Sequence, residues 1–256
     1  MIDQEPALKD LSDVAQSTKW KNLAQGSRSA ASTVLTLPAA EAHRTGSADG
    51  ARRGDTRSRL LSAALRRFAD HGYDIVTTAD IAAECGVSQS VVLYHFATKE
   101  NLWREAMRLL FARLEAHGPP TLTLLSDLDE IACLKIALRG LVETAARFPE
   151  LGRVILREGS AGGERLEWLR RELLAPHYDA FTGFFAQAVA SGKLRRCTPA
   201  MVMIMIHSAA AMLFNLAPLS ERLLGRSPFD PDVIREQSDL LMNVFLLGLM
   251  KDGSHE

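Results

Sequence analysis

Hydrophobic positions recur at intervals of three and four along most of this chain, and no segment shows the alternation of a strand. Leu60, Leu61, Ala64, Leu65 and Phe68 mark a first helix over Arg57 to His71, ended by Gly72. Ile81, Ala82 and Cys85 give a second, short helix an apolar face, with Thr77 or Thr78 able to cap its start. A third follows from Gln89 to Phe96. A fourth runs from Glu100 to His117, with Leu102, Trp103, Ala106, Leu109, Leu110 and Leu114 on one side, and is stopped by Gly118, Pro119 and Pro120.

The later chain continues in the same period. A fifth helix is predicted over Asp127 to Phe148 and a short sixth from Pro149 to Gly159, with a break at Gly162 and Gly163. Glu164 to Ser191 reads as helix in two pieces around Pro176. Another helix spans Pro199 to about Pro218, and a last one Asp232 to Leu249. Met201 to Leu216 and Leu240 to Met250 are apolar nearly all round, so each must be buried on more than one side. A two-fold partner supplies the missing face. A membrane span fits less well. His207, Asn215 and Pro218 interrupt the first run, and the second is too short to cross a bilayer. Residues 1 to 50, rich in Ser, Ala, Thr, Gln and Gly without a sustained period, read as a mostly disordered extension.

The stretch Thr77 to Lys99, TTADIAAECGVSQSVVLYHFATK, organises the rest. Gly86 stands where the chain must turn sharply and a left-handed residue costs least. Val87 plugs the angle between the helices, Ser88 caps the second, and Ala82 and Ala83 allow a close crossing. This is a helix-turn-helix, whose second helix can enter a DNA major groove. Thr98 then caps the following helix, and Lys99 sits in its first turn. A cation there opposes the helix dipole, unless a phosphate docks against the same helix end.

Thr56 to Arg108 resembles the DNA-binding domain of the TetR family of transcriptional regulators. Ala63, Ala64, Phe68, Gly72, Tyr73, Thr77, Thr78, Ile81, Ala82, Gly86, Val87, Ser88, His95, Phe96, Lys99, Glu100 and Leu102 fall where the family pattern expects them. One position departs: Leu93 stands where members usually carry tyrosine, and Tyr94 follows it. Leucine cannot donate a hydrogen bond but can touch a thymine methyl.

The resemblance implies an all-α chain: a three-helix helix-turn-helix DNA-binding domain over 51–100, then a helical ligand-binding and dimerisation bundle over 101–256. It also implies a homodimer through the last two helices and a double-stranded operator. Within it, Ser88, Gln89, Ser90 and Val91 are expected to face bases, while Arg57, Thr78, Tyr94, His95 and Lys99 hold the backbone.

Charge refines this picture. With 30 basic against 31 acidic residues, any nucleic-acid footprint must be local. Arg52, Arg53, Arg57 and Arg59 against Asp55 form a small basic arm ahead of the first helix. Cys85, Cys133 and Cys197 are widely spaced, form no metal-ligand cluster, and read as buried free thiols of a cytoplasmic protein. The opening MIDQEP, with acids before any basic residue, is not a secretory signal. No nucleophile elbow, zinc-protease motif or phosphate-cradling glycine loop is present, so neither catalytic residues nor a cofactor are expected. Polar groups in the apolar second half, Arg157, His177, Tyr178, His207 and Asn215, together with Phe181, are the candidates for holding an unknown small-molecule effector. The reading is a DNA-binding regulator, a repressor released by ligand. The alternative is an all-α carrier or enzyme with a vestigial helix-turn-helix.

Overall fold

In the computed structural model, residues 48–117 and 129–250 are described, with side chains from Gly54 onward. The extension over 1–47, the side chains of Arg52 and Arg53, the stop at 118–120 and the start of the fifth helix at 127–128 lie outside them. The described chain is helical: α1 (Ala48–His71), α2 (Thr78–Glu84), α3 (Gln89–Phe96), α4 (Lys99–His117), α5 (Glu130–Arg147), α6 (Pro149–Ala161), α7 (Gly163–Leu169), α8 (Ala175–Ala190), α9 (Pro199–Asn215), α10 (Ala217–Leu224) and α11 (Pro231–Leu249). Extended pairing among the described residues is a single bridge between Leu194 and Met250. No single described helix is long and apolar enough to cross a membrane.

Three departures from the sequence reading have local causes. First, α1 begins at Ala48, so Arg57 and Arg59 sit inside a helix and not on an arm ahead of it. Second, Glu164 to Ser191 does not break at Pro176. The helix instead widens into a π turn, Arg170–Leu174, where the Ala175 N–H reaches back five residues to the Arg170 carbonyl. Pro176 has no N–H, and its ring crowds the preceding turn, so a wider turn accommodates it. Third, α9 stops at Asn215 and the chain bends 79° into α10. Pro218 lies in the first turn of α10, where a missing N–H costs nothing, and the Ser220 hydroxyl donates to the Leu213 carbonyl at 2.8 Å.

Two apolar cores form. The first gathers Leu60, Leu65 and Phe68 of α1, Ile81 of α2, Val92 and Phe96 of α3, and Leu102, Trp103, Met107 and Leu110 of α4. It also takes in Val154 of α6 and Trp168 and Leu169 of α7, so its packing does not end at residue 100. The second core joins Leu134, Leu138 and Val142 of α5 to Phe185 of α8, Ile206, Ala210 and Phe214 of α9, and Leu241, Met242 and Leu246 of α11. α5 therefore covers one side of the α9–α11 pair. The faces turned away from it expose Met201, Ile204 and Met205 on α9 and Leu240, Val244 and Leu247 on α11.

α6 and α9 cross closely at Gly152. A Cβ there would lie 2.5 Å from Oδ1 and 2.6 Å from Nδ2 of Asn215. Gly152→Ala should destabilise the chain by about 1–3 kcal/mol through overpacking, despite its better helix propensity. Denaturant midpoints check this, and Gly152→Ala with Asn215→Ala should recover the loss. A more stable single variant would contradict the tight crossing.

Cys85 and Cys133 are buried, and burial pushes both thiols up, away from reactivity. Cys197 is exposed, against the expectation of three buried thiols.

Candidate nucleic-acid interface and effector site

The start of α2 is locked by a capping box. The Asp80 N–H donates to Thr77 Oγ1 at 3.1 Å, and the Thr77 N–H donates to Asp80 Oδ2 at 3.0 Å. The bonds from Thr77 hold the Asp80 carboxyl below its usual range. At the other end Gly86 takes φ +67°, and the Val87 N–H returns to the Ala82 carbonyl at 3.0 Å. That turn fixes the angle at which α3 leaves. Val92 and Phe96 then bury one side of α3, and the opposite side is left to solvent.

That outer side carries Ser88, Gln89, Ser90, Leu93 and Tyr94, with Tyr94 74% exposed. Ser88 occupies the N-cap position, but its hydroxyl bonds the Ser90 hydroxyl at 2.7 Å and does not cap the helix backbone. Gln89 donates from Nε2 to Thr78 Oγ1 at 2.8 Å. Val91 is half-buried against the first core, so it offers bases less than its place on α3 suggests. Leu93 is exposed, as a thymine-methyl contact requires. His95 is half-buried between the rings of Tyr94 and Phe96, with centroids 5.3 and 6.0 Å away.

Two of the expected backbone contacts are engaged elsewhere. Thr78 is 8% exposed and its oxygen is taken by Gln89. Arg57 pairs with Glu105 of α4 at 2.9 Å and lies 5.3 Å above the Phe96 ring, fastening α1 to α3 and α4. The other described arginines of α1, Arg59, Arg66 and Arg67, are similarly committed. Arg59 donates to the Cys85 carbonyl at 2.7 Å, satisfying the end of α2. Arg66 and Arg67 both pair with Glu84 and hold its carboxyl below the usual range. These pairings join residues 17 to 48 positions apart, which composition cannot reveal.

Lys99 is placed differently. Its Nζ lies 4.4 Å from the Tyr73 ring and 3.4 Å from the Asp74 carbonyl, and Arg165 of α7 lies 4.3 Å from the same ring. Tyr73 holds both cations through its π face while Lys99 stays at the start of α4. Thr98 caps that helix end, accepting from the Asn101 N–H at 3.0 Å.

The six effector residues do not converge on one place. Arg157 donates to the Ala69 carbonyl at 3.1 Å and to the Asp70 carbonyl. It ties α6 to the C-terminal end of α1, as a guanidinium does for carbonyls a helix leaves unpaired. Asn215 is wedged against Gly152, with Oδ1 buried and without a hydrogen-bond partner. These two belong to helix junctions. Phe181 stacks on Phe185 at 5.9 Å, at the edge of the second core.

His177 and His207 stand on α8 and α9, which pack against each other. His177 lies 6.2 Å from the Phe111 ring. His207 bonds the Met203 carbonyl through Nδ1 at 2.8 Å. A carbonyl only accepts, so that nitrogen carries the proton. His207 is exposed to solvent in the single chain, while the protein packed around it pushes its imidazole below the usual range. Tyr178 is exposed next to His177. An open crevice of about 470 Å³ lies elsewhere, between Arg104, Gly163, Glu164, Glu167, Trp168 and Arg171, and none of the six lines it.

Residues 60–106 match the profile of bacterial regulatory proteins of the tetR family. The transcriptional regulator RutR of Escherichia coli is 27% identical over 191 residues, covering 74% of this chain and 88% of RutR. Among solved structures, a linker-substituted HlyIIR mutant superposes with a TM-score of 0.60 at 19% identity, covering 79% of this chain and 99% of the other. AibR, solved with isovaleryl coenzyme A and operator DNA, gives 0.59 at 17% identity, covering 74% and 97%. At those identities the structural likeness establishes the fold alone.

Proposed function

Because the chain belongs to the tetR family of bacterial regulatory proteins and is a DNA-binding regulator, we propose that it works as a homodimeric repressor. It binds a pseudopalindromic operator and leaves it when a small molecule enters residues 101–256. The observation that carries the reading is α3. Val92 and Phe96 anchor it, and Ser88, Gln89 and Ser90 stand outside at its N-terminal end, where major-groove readers contact base edges. Lys99 at the start of α4 is suited to a phosphate.

The outward apolar faces of α9 and α11 support dimerisation. A dimer would present two α3 helices to half-sites about 34–36 Å apart. AibR, with its coenzyme A thioester and operator, is a precedent for the pairing of effector and DNA. For this chain, His177 of α8 and His207 of the neighbouring α9 mark the effector position that we favour. Arg157, by its ties to α1, is suited to transmitting a shift of α6 to the DNA-reading end.

The test is selection from a random duplex pool with the purified full chain at physiological salt. The expected product is a pseudopalindrome with half-sites one helical turn apart. Lys99→Ala should weaken all sequences alike and reduce the salt slope by about one. Gln89→Ala should relax one base pair per half-site, worth about 1–3 kcal/mol of discrimination. A folded wild-type chain that enriches nothing would sink the reading.

A further inference from the structure

The bond between Gln89 and Thr78 crosses the helix-turn-helix, from the first residue of α3 to the first residue of α2. Gln89 is exposed and Thr78 is buried, so one end of a flexible amide is tied to a fixed oxygen. Thr78 is held there because it follows the N-cap Thr77 directly and is buried. Building on the regulator reading, we infer that Thr78 is a positioning residue for sequence recognition, orienting the Gln89 amide to read one adenine in each half-site.

The chemistry follows from counting donors. A glutamine amide has two N–H groups and one carbonyl oxygen. Thr78 Oγ1 uses one N–H, leaving one N–H and Oε1 on the outward edge. Adenine offers N7 as acceptor and N6–H as donor in the major groove, which matches that edge group for group. Guanine offers N7 and O6, both acceptors, so Oε1 would face O6 without a proton between them. Thr78 also limits how freely the amide rotates before DNA arrives, which reduces the ordering cost of binding. A phosphate contact from Thr78 is not needed for this role. Its burial instead makes the oxygen a fixed reference point.

Selection from a random duplex pool, run in parallel for wild type, Thr78→Val, Thr78→Ser, Gln89→Ala and the double variant Thr78→Val with Gln89→Ala, tests the inference. Thr78→Val keeps the shape and removes the oxygen. It should lower the adenine preference at one position per half-site roughly tenfold, with the other positions and the salt slope unchanged. Thr78→Ser should restore the preference, and the double variant should match Gln89→Ala at that position. Thermal melts accompany each variant. A Thr78→Val protein that melts early but keeps its adenine preference overturns the inference, as does a uniform loss across all sequences. Failure of wild type to enrich any site would remove the regulator reading and this inference with it. Enrichment by wild type with an indifferent Thr78→Val would remove only the inference.

Discussion

Trp168→Ala should lower the unfolding free energy by about 3–5 kcal/mol, the range for truncating a large buried aromatic. For a chain of this size each kcal/mol moves the melting temperature by about 2–4 °C, so a drop of roughly 10 °C is expected. Trp168 is 6% exposed, and its ring meets Trp103 edge-on at 5.5 Å. Arg104 and Arg108 of α4 lie over it at 5.5 and 5.3 Å. The residue is 65 positions beyond Trp103 in sequence, yet its loss opens a cavity among the helices that hold α3. DNA affinity should therefore fall together with stability. Trp168→Phe should retain most of both. Calorimetry and gel shifts on the same preparations check the pair, and an unchanged melt for Trp168→Ala would mean that α7 does not support the first core.

Leu247→Asp should have an effect of similar size by another route. Leu247 is 65% exposed, and Leu240 and Val244 beside it are each 59% exposed. A monomer would leave this face, with Met201, Ile204 and Met205, as one broad apolar surface in water. In a two-fold dimer each patch meets its own copy, so one aspartate becomes two like charges near the axis. The variant should sediment as a monomer. Its own fold should change by only a few tenths of a kcal/mol, since the side chain touches solvent within the chain. Affinity for a two-half-site operator should drop by about 10²–10⁴, because the second half-site loses its linked partner. A dimer of unchanged strength would move the interface elsewhere.

The sequence was most readable where structure is set by near neighbours. Thr77, Gly86, Thr98 and the spacing of Val92 and Phe96 each act within a few residues, and the helix-turn-helix follows from them. Helix ends read less well. The early start of α1 runs through Gly50 and Gly54, poor helix formers, so propensity argues against it. Pro218 reads in the sequence as the end of a helix, whereas in the structure it stands in the first turn of α10.

Polar side chains in apolar surroundings can serve helix junctions far away in sequence, which spacing along the chain does not show. Arg157 and Asn215 looked like pocket residues because they are polar in apolar surroundings. One is bonded to carbonyls 87 and 88 positions away, and the other is pressed against a glycine of a different helix. Periodicity reports which face is apolar, not which backbone atoms await a donor across the fold.

The first core is built from two separate stretches of chain, α1 to α4 and then α6 to α7, with α5 between them. This constrains how such a protein can be recombined. A chimera joined at residue 100 would carry Phe68 and Phe96 to a new host without Trp103, Val154, Trp168 and Leu169 to cover them. A graft of the DNA-reading end needs both stretches, so the unit of exchange runs from α1 through Leu174 and carries α5 with it as cargo.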